Sequence, residues 1–150
     1  MKRFIIITML IALCGVCHAQ DALFQKYEDV DGVTTVYISK AMFRMMPHVN
    51  AGNRDISKIA SRLDRLQILN CERPSLIPGI KKMAVEIYKR GNYEYIMRVN
   101  DDGDHTTIYQ KQHAGGKNEF VLLSDEKDEL SIINVLGAVT LNEIKGIAGN

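Results

Sequence analysis

The chain has 150 residues, 19 of them basic and 18 acidic, with four histidines and a formal net charge of +1. So even a balance, with no long basic run or stripe, gives nucleic-acid binding no electrostatic support, and the absence of Trp leaves little for base stacking. The length suits one domain with a sizeable core.

The first residues read as an address. Lys2 and Arg3 make a positive start, residues 4–16 an apolar core, and Cys17-His18-Ala19 a cleavage site with small residues two places apart. The apolar run is too short for a stable membrane-spanning helix. The expected mature chain begins at Gln20 as a single domain over residues 20–150, exported to the periplasm or outer envelope. Lipidation at Cys17 is the minor alternative, since Val16 is not the small residue that lipid-attachment signals place before the cysteine. Removal of Lys2 and Arg3 leaves 17 basic against 18 acidic residues, a net charge of −1. It also leaves Cys71 alone, so stability must come from packing, with Cys71 buried.

Residues 20–28 form a short lead-in with Leu23, Phe24 and Tyr27, and Asp31-Gly32 a turn. Residues 33–38 are β-branched almost throughout and predict a strand. Ser39 can cap the brief helix that follows, which Pro47 stops. In that helix Met42, Phe43, Met45 and Met46 are either core or an adaptable surface for an apolar partner. Ile56, Ile59, Ala60, Leu63 and Leu66 recur at three- and four-residue steps and predict a helix over residues 54–66, capped by Asn53. Residues 67–71 make a short strand. A helix over residues 75–90 follows, with Pro78 in its first turn, Ile80, Met83, Ala84, Ile87 and Tyr88 as its stripe, and Gly91 just past its end.

Residues 93–139 carry four strands joined by polar turns, an antiparallel meander. Tyr93, Tyr95, Met97 and Val99 alternate and are expected on one buried face. Phe120-Val121-Leu122-Leu123 is apolar without a break, so contact on both faces is expected. Thr140-Leu141-Asn142-Glu143 matches a capping box, opening a terminal helix to about Ala148. The fold class is therefore α+β: one domain, a largely antiparallel sheet of the meander plus two earlier strands, two main helices on one face and a short C-terminal helix. The other face is expected to lie uncovered, bearing tyrosines and basic residues.

No catalytic or metal constellation stands out. His48, His105 and His113 each lie in or beside a turn without ligand spacing, so no metal or cofactor is expected. Asn100-Asp101-Asp102-Gly103-Asp104 places glycine too early for a calcium loop and reads as a hairpin turn. Gly115-Gly116-Lys117 lacks the remainder of a phosphate loop.

Several landmarks together resemble a known family: the leader, Asp31-Gly32-Val33-Thr34, Ser39-Lys40-Ala41-Met42-Phe43, the helices and meander, and Leu136-Gly137-Ala138-Val139-Thr140-Leu141. They resemble an uncharacterised secreted family of Bacteroidetes, catalogued as domain of unknown function 4252. The resemblance covers essentially the whole mature chain and implies export, an α+β fold and an envelope setting, with no agreed catalytic residues. Some family genes lie beside extracytoplasmic sigma-factor systems, which points to envelope signalling and to an envelope or anti-sigma-type membrane protein as partner. The expected function is a non-catalytic exported binding module, with Met42, Phe43, Met45 and Met46 as candidate contacts. The alternatives are a small hydrolase-like enzyme assembled only in three dimensions, and a lipid or small-molecule carrier.

Overall fold

The computed structural model describes residues 19–46, 48, 50–51 and 54–148. The predicted leader lies outside them save for Ala19, and so do Pro47 and Asn53. In chain order the elements are α1 (Ala19–Tyr27), β1 (Val33–Ser39), α2 (Lys40–Met45), β2 (Asn50–Ala51), β3 (Arg54–Asp55) and α3 (Ser57–Ala60). There follow β4 (Leu63–Cys71), α4 (Ile77–Arg90), β5 (Glu94–Asp101), β6 (Asp104–His113), β7 (Lys117–Asp125), β8 (Leu130–Gly137) and α5 (Leu141–Ala148). One antiparallel sheet of six strands runs β1-β4-β8-β7-β6-β5, and β2 and β3 form a separate two-stranded ribbon. This is the α+β domain the sequence predicts, with the meander intact and the two earlier strands added beside β8.

The meander turns where its polar segments demand. Asp102 and Gly103 both take positive φ, at 46° and 95°, which suits the tight two-residue link between β5 and β6. In β7, Phe120, Val121, Leu122 and Leu123 are all buried because the strand has a core on either side. On one face α1 and α4 cover the sheet: Leu23, Ile80, Ala84 and Tyr88 meet Leu69, Val121, Leu130 and Ile132, all fully buried. Each such side chain contributes on the order of 1.5–3 kcal/mol by leaving water. Cys71 is among them, buried as expected, its Sγ 3.4 Å from the Arg73 carbonyl oxygen.

Three expectations are overturned. Residues 54–66 are not a helix: β3, the single turn of α3 and the start of β4 occupy them. The striped side chains Ile56, Ile59, Ala60, Leu63 and Leu66 are nonetheless all buried together. A register shift between Leu63 and Arg65 turns Leu63 and Leu66 to the same side of the sheet, and this imitates helical spacing. The main helices are consequently α1 and α4. Second, the other sheet face is covered too, since Phe43 of α2, Ile59 and Ala60 of α3 and Ile144 of α5 pack on Leu66, Phe120, Leu122 and Val135. Third, the alternation in β5 breaks at a bulge between Tyr95 and Met97. Tyr93 packs with the α4 side and Met97 with the opposite side, while Tyr95 and Val99 are exposed.

The terminal helix docks through its box. Thr140 N donates to Glu143 Oε2 (2.8 Å), and Glu143 N donates to Thr140 Oγ1 (3.4 Å). Arg62 pairs with Glu143 and donates from Nη1 to the Ala138 carbonyl at 3.1 Å, while Ala138 N donates to the Arg62 carbonyl at 3.0 Å. The Arg62 bond, then the Thr140 amide, hold the Glu143 carboxyl down at about 2. Gly137 allows this close approach: a Cβ there would sit 2.9 Å from Leu63 Cα and closer still to the Arg62 carbonyl oxygen.

Candidate functional site

The site begins with a charge where strand alternation puts a core side chain. Glu119 precedes Val121 and Leu123 on the same side of β7, facing α1 and α4, and is 2% exposed. Its neighbours come from across the sheet: Arg65 of β4, Asn134 of β8, His113 of β6, and Tyr93 from the turn after α4. Oε1 accepts from Asn134 Nδ2 (2.6 Å), Tyr93 OH (2.9 Å) and Arg65 Nη2 (3.2 Å). Oε2 lies 2.7 Å from His113 Nε2. Burial works to raise the Glu119 carboxyl, but the bonds from Asn134, Tyr93 and His113 and the Arg65 charge outweigh it and hold the group below the usual glutamate range. Tyr93 moves the other way, its hydroxyl pushed well up by burial and then by the Glu119 charge, so it stays a donor.

A general base needs a free lone pair and a proton affinity near the working pH. Glu119 has donors on both oxygens and a depressed affinity. The arrangement is a buried, charged anchor that ties four strands and the end of α4 together.

Arg65 carries this network to the surface. Its Nη1 is 3.8 Å from Asp21 of α1, and Gln67 Nε2 donates to Asp21 Oδ1 at 3.2 Å. Arg65 and Gln67 floor a cleft of about 400 Å³. One wall is Asp21, Phe24 and Gln25 of α1 with Glu28 just past its end, and the other is β1 through Thr35, Val36 and Tyr37. Among the described residues Arg65 Nε and Gln67 Oε1 have no hydrogen-bond partner, nor do the buried Gln20 amide and Tyr88 hydroxyl. The Gln20 amide faces Tyr88 without reaching hydrogen-bond geometry.

A smaller hollow of about 260 Å³ lies beside α4, where Lys81 pairs with Asp125 near Arg98 and His105. His105 Nδ1 is 2.7 Å from Asn100 Oδ1, so His105 and His113 stand at opposite ends of β6 in separate surroundings. Among the described residues no three His, Cys, Asp or Glu side chains converge as a metal site requires.

Of the residues singled out by sequence, Met42 and Met45 are exposed, Met45 by 78%, whereas Phe43 is core and Met46 packs half-buried beside it. α2 follows directly on β1, with Ser39 Oγ accepting from Met42 N as its cap. The two exposed methionines thus stand at one end of the strand that walls the cleft. Glu119, Arg65 and Gln67 were not legible as a site. The available signal was a glutamate at the period of Val121 and Leu123.

The model of the family described as Domain of unknown function (DUF4252) matches residues 27–147, which takes in every strand and the Glu119 network. The chain belongs to this family. No curated protein matches it. Among solved structures it is similar to that of the protein of unknown function PA94 from Pseudomonas aeruginosa. The identity there is 9% and the TM-score 0.37, over 81% of this chain and 78% of that one. No helix among the described residues of this DUF4252 member is long and apolar enough to cross a membrane.

Proposed function

We propose that the protein is an exported, non-catalytic binding module of the cell envelope that engages a protein partner along β1. The observation that carries this is the outer edge of that strand. Among the described residues nothing pairs with it, Tyr37 beside it is 63% exposed, and Met42 and Met45 extend the apolar surface past its end. Natural sheets protect such an edge unless something is meant to pair with it. Export rests on the leader of Lys2, Arg3 and the apolar residues 4–16. An anti-sigma-type membrane protein fits that setting as partner. A hydrolase-like role would ask Glu119, Tyr93 and His113 to exchange protons, and the lowered proton affinity of Glu119 with the raised one of Tyr93 opposes it. A carrier role would ask for an apolar cavity between helices and sheet, where Leu23, Ile80, Ala84 and Tyr88 pack instead, and the cleft beside α1 is floored by the polar Arg65 and Gln67.

A photo-crosslinking amino acid placed at Tyr37 should form an adduct with an envelope protein in intact cells, and the same group at Tyr95 on the opposite edge should not. Failure at both positions overturns the binding module. Cell fractionation and the mass of the N-terminus test export separately. A chain starting at Gln20 outside the cytoplasm is expected, an acylated Cys17 would mark the lipoprotein form, and a cytoplasmic chain with its leader intact refutes export.

A further inference from the structure

We infer that the cleft beside β1 takes an extended polypeptide segment that joins the sheet as a further strand and sets a lysine or arginine against Asp21 and Glu28. The inference rests on the binding function above and names its ligand class. β1 supplies a continuous edge, in unbroken register with β4 from Val33 to Ser39, whose outer side is unpaired among the described residues. Across the cleft, Asp21, Phe24 and Gln25 of α1 and Glu28 just past its end recur at three- and four-residue steps, so one stripe faces β1 over the floor that β4 makes. An extended chain paired by main-chain hydrogen bonds to the outer edge of β1 turns alternate side chains to the α1 face of the sheet, where they reach past Thr35 and Tyr37 into the cleft.

Charge selects what those side chains are. The stripe begins and ends on a carboxylate, and Asp29 and Asp31 are exposed in the turn just beyond Glu28. The cation in the floor, Arg65, is already engaged by Glu119 and Asp21. Gln67 adds a second, independent mark. Its side chain is 4% exposed at the cleft floor, and while Nε2 donates to Asp21 the buried Oε1 has no partner among the described residues, an unmet acceptor that a side-chain shift would open to an N–H donor. Phe24 between the acids offers apolar contact to the carbon stem of a lysine or arginine. A second copy paired through β1 fits less well, because it would bring another Asp21–Glu28 stripe alongside the first, like charge beside like.

Short random peptides displayed on phage and selected on the purified protein test this. Enriched sequences should carry Lys or Arg among Val, Ile, Thr and Tyr and should lack proline. Synthetic copies should bind about tenfold more weakly to Glu28→Lys, a difference of about 1.4 kcal/mol, and should lose binding when alternate amides are N-methylated. Glu28 is exposed, so the fold of Glu28→Lys should be unchanged by circular dichroism; Asp21→Asn serves as the second variant. Acidic or proline-rich winners, or binding indifferent to both substitutions, overturn the inference. An envelope protein crosslinked at position 37 with no peptide enriched overturns this ligand class and leaves the binding module standing. A crosslink from position 37 only to a second copy, or to residues 1–18 of the same chain, also overturns it. No crosslink and no peptide sinks both.

Discussion

Along β5, the outermost strand on one side, the chain spends Glu94, Arg98 and Asp101 and breaks its pairing with a bulge; along β1, on the other side, seven uncharged residues run in unbroken register. The first is how a sheet prevents further strands from adding, and among the described residues the second carries no charge, proline or bulge. What lies behind each edge differs as well. Behind β5 stands a stack of tyrosines, with Tyr88 5.0 Å from Tyr109 and 5.3 Å from Tyr93 between ring centres. Behind β1 lie the polar cleft and the charged network of Arg65 and Glu119. One edge is closed and backed by aromatic packing; the other is open and backed by charge. Under the proposed function, that asymmetry singles out β1 as the binding edge.

The largest way to break this contrast is Glu119→Ala. It strips Arg65 of its nearer carboxylate, leaving Asp21 at 3.8 Å, and leaves Asn134 and Tyr93 without their acceptor. Removing one member of a buried pair costs about 3–5 kcal/mol, and the partial exposure of Arg65 places the loss near the lower end, about 3 kcal/mol by urea unfolding. Glu119→Gln, which keeps the shape and one acceptor, should lose roughly half of that. A wild-type midpoint for Glu119→Ala would show the network to be ornamental.

Alkali should attack the tyrosine cluster and, through the Tyr93 hydroxyl, the Glu119 network to which it donates. Burial, as the largest cause, raises the hydroxyls of Tyr88, Tyr93 and Tyr109 above their ordinary value. The folded chain therefore keeps protons that the unfolded chain releases at about pH 10, so stability is full below that pH and falls as pH rises beyond it. Melting temperature and tyrosinate absorbance should change together above about pH 10; a melting temperature flat through that range would contradict the assignment. The smallest effect on stability sharpens the contrast. Replacing Glu94 and Arg98 together by Val should change folding by about 0.5 kcal/mol or less, yet light scattering should reveal concentration-dependent association. A strictly monomeric variant would mean that the bulge alone protects β5.

How far the sequence could be read turns on the same feature. Polar turns and alternation gave away the meander, Phe120 to Leu123 a two-sided strand, Ser39 and Thr140 their caps, and Gly91 the end of α4. The errors at 54–66 and 93–99 share one cause. A bulge shifts strand period by a single residue, so at Leu63 and Leu66 it mimics a helix, and at Tyr95 and Met97 it sends one apparent face to both sides. The Glu119 site was hidden for another reason. Its members come from four strands and the turn after α4, and long-range pairing is what local pattern does not encode. The cleft needed α1 and β1 placed side by side, which the lead-in residues alone do not announce.

The strand order carries a consequence for how the molecule comes into being. β8, the last of the described strands in chain order, lies between β4 and β7 at the middle of the sheet. Until residue 137 arrives, the β1–β4 ribbon and the β5–β6–β7 ribbon share no backbone ladder, and the keystone closes both at once. Pairings so distant along the chain form late and slowly. A polypeptide whose sheet stays open until β8 emerges is one that can still be threaded through a narrow translocation channel.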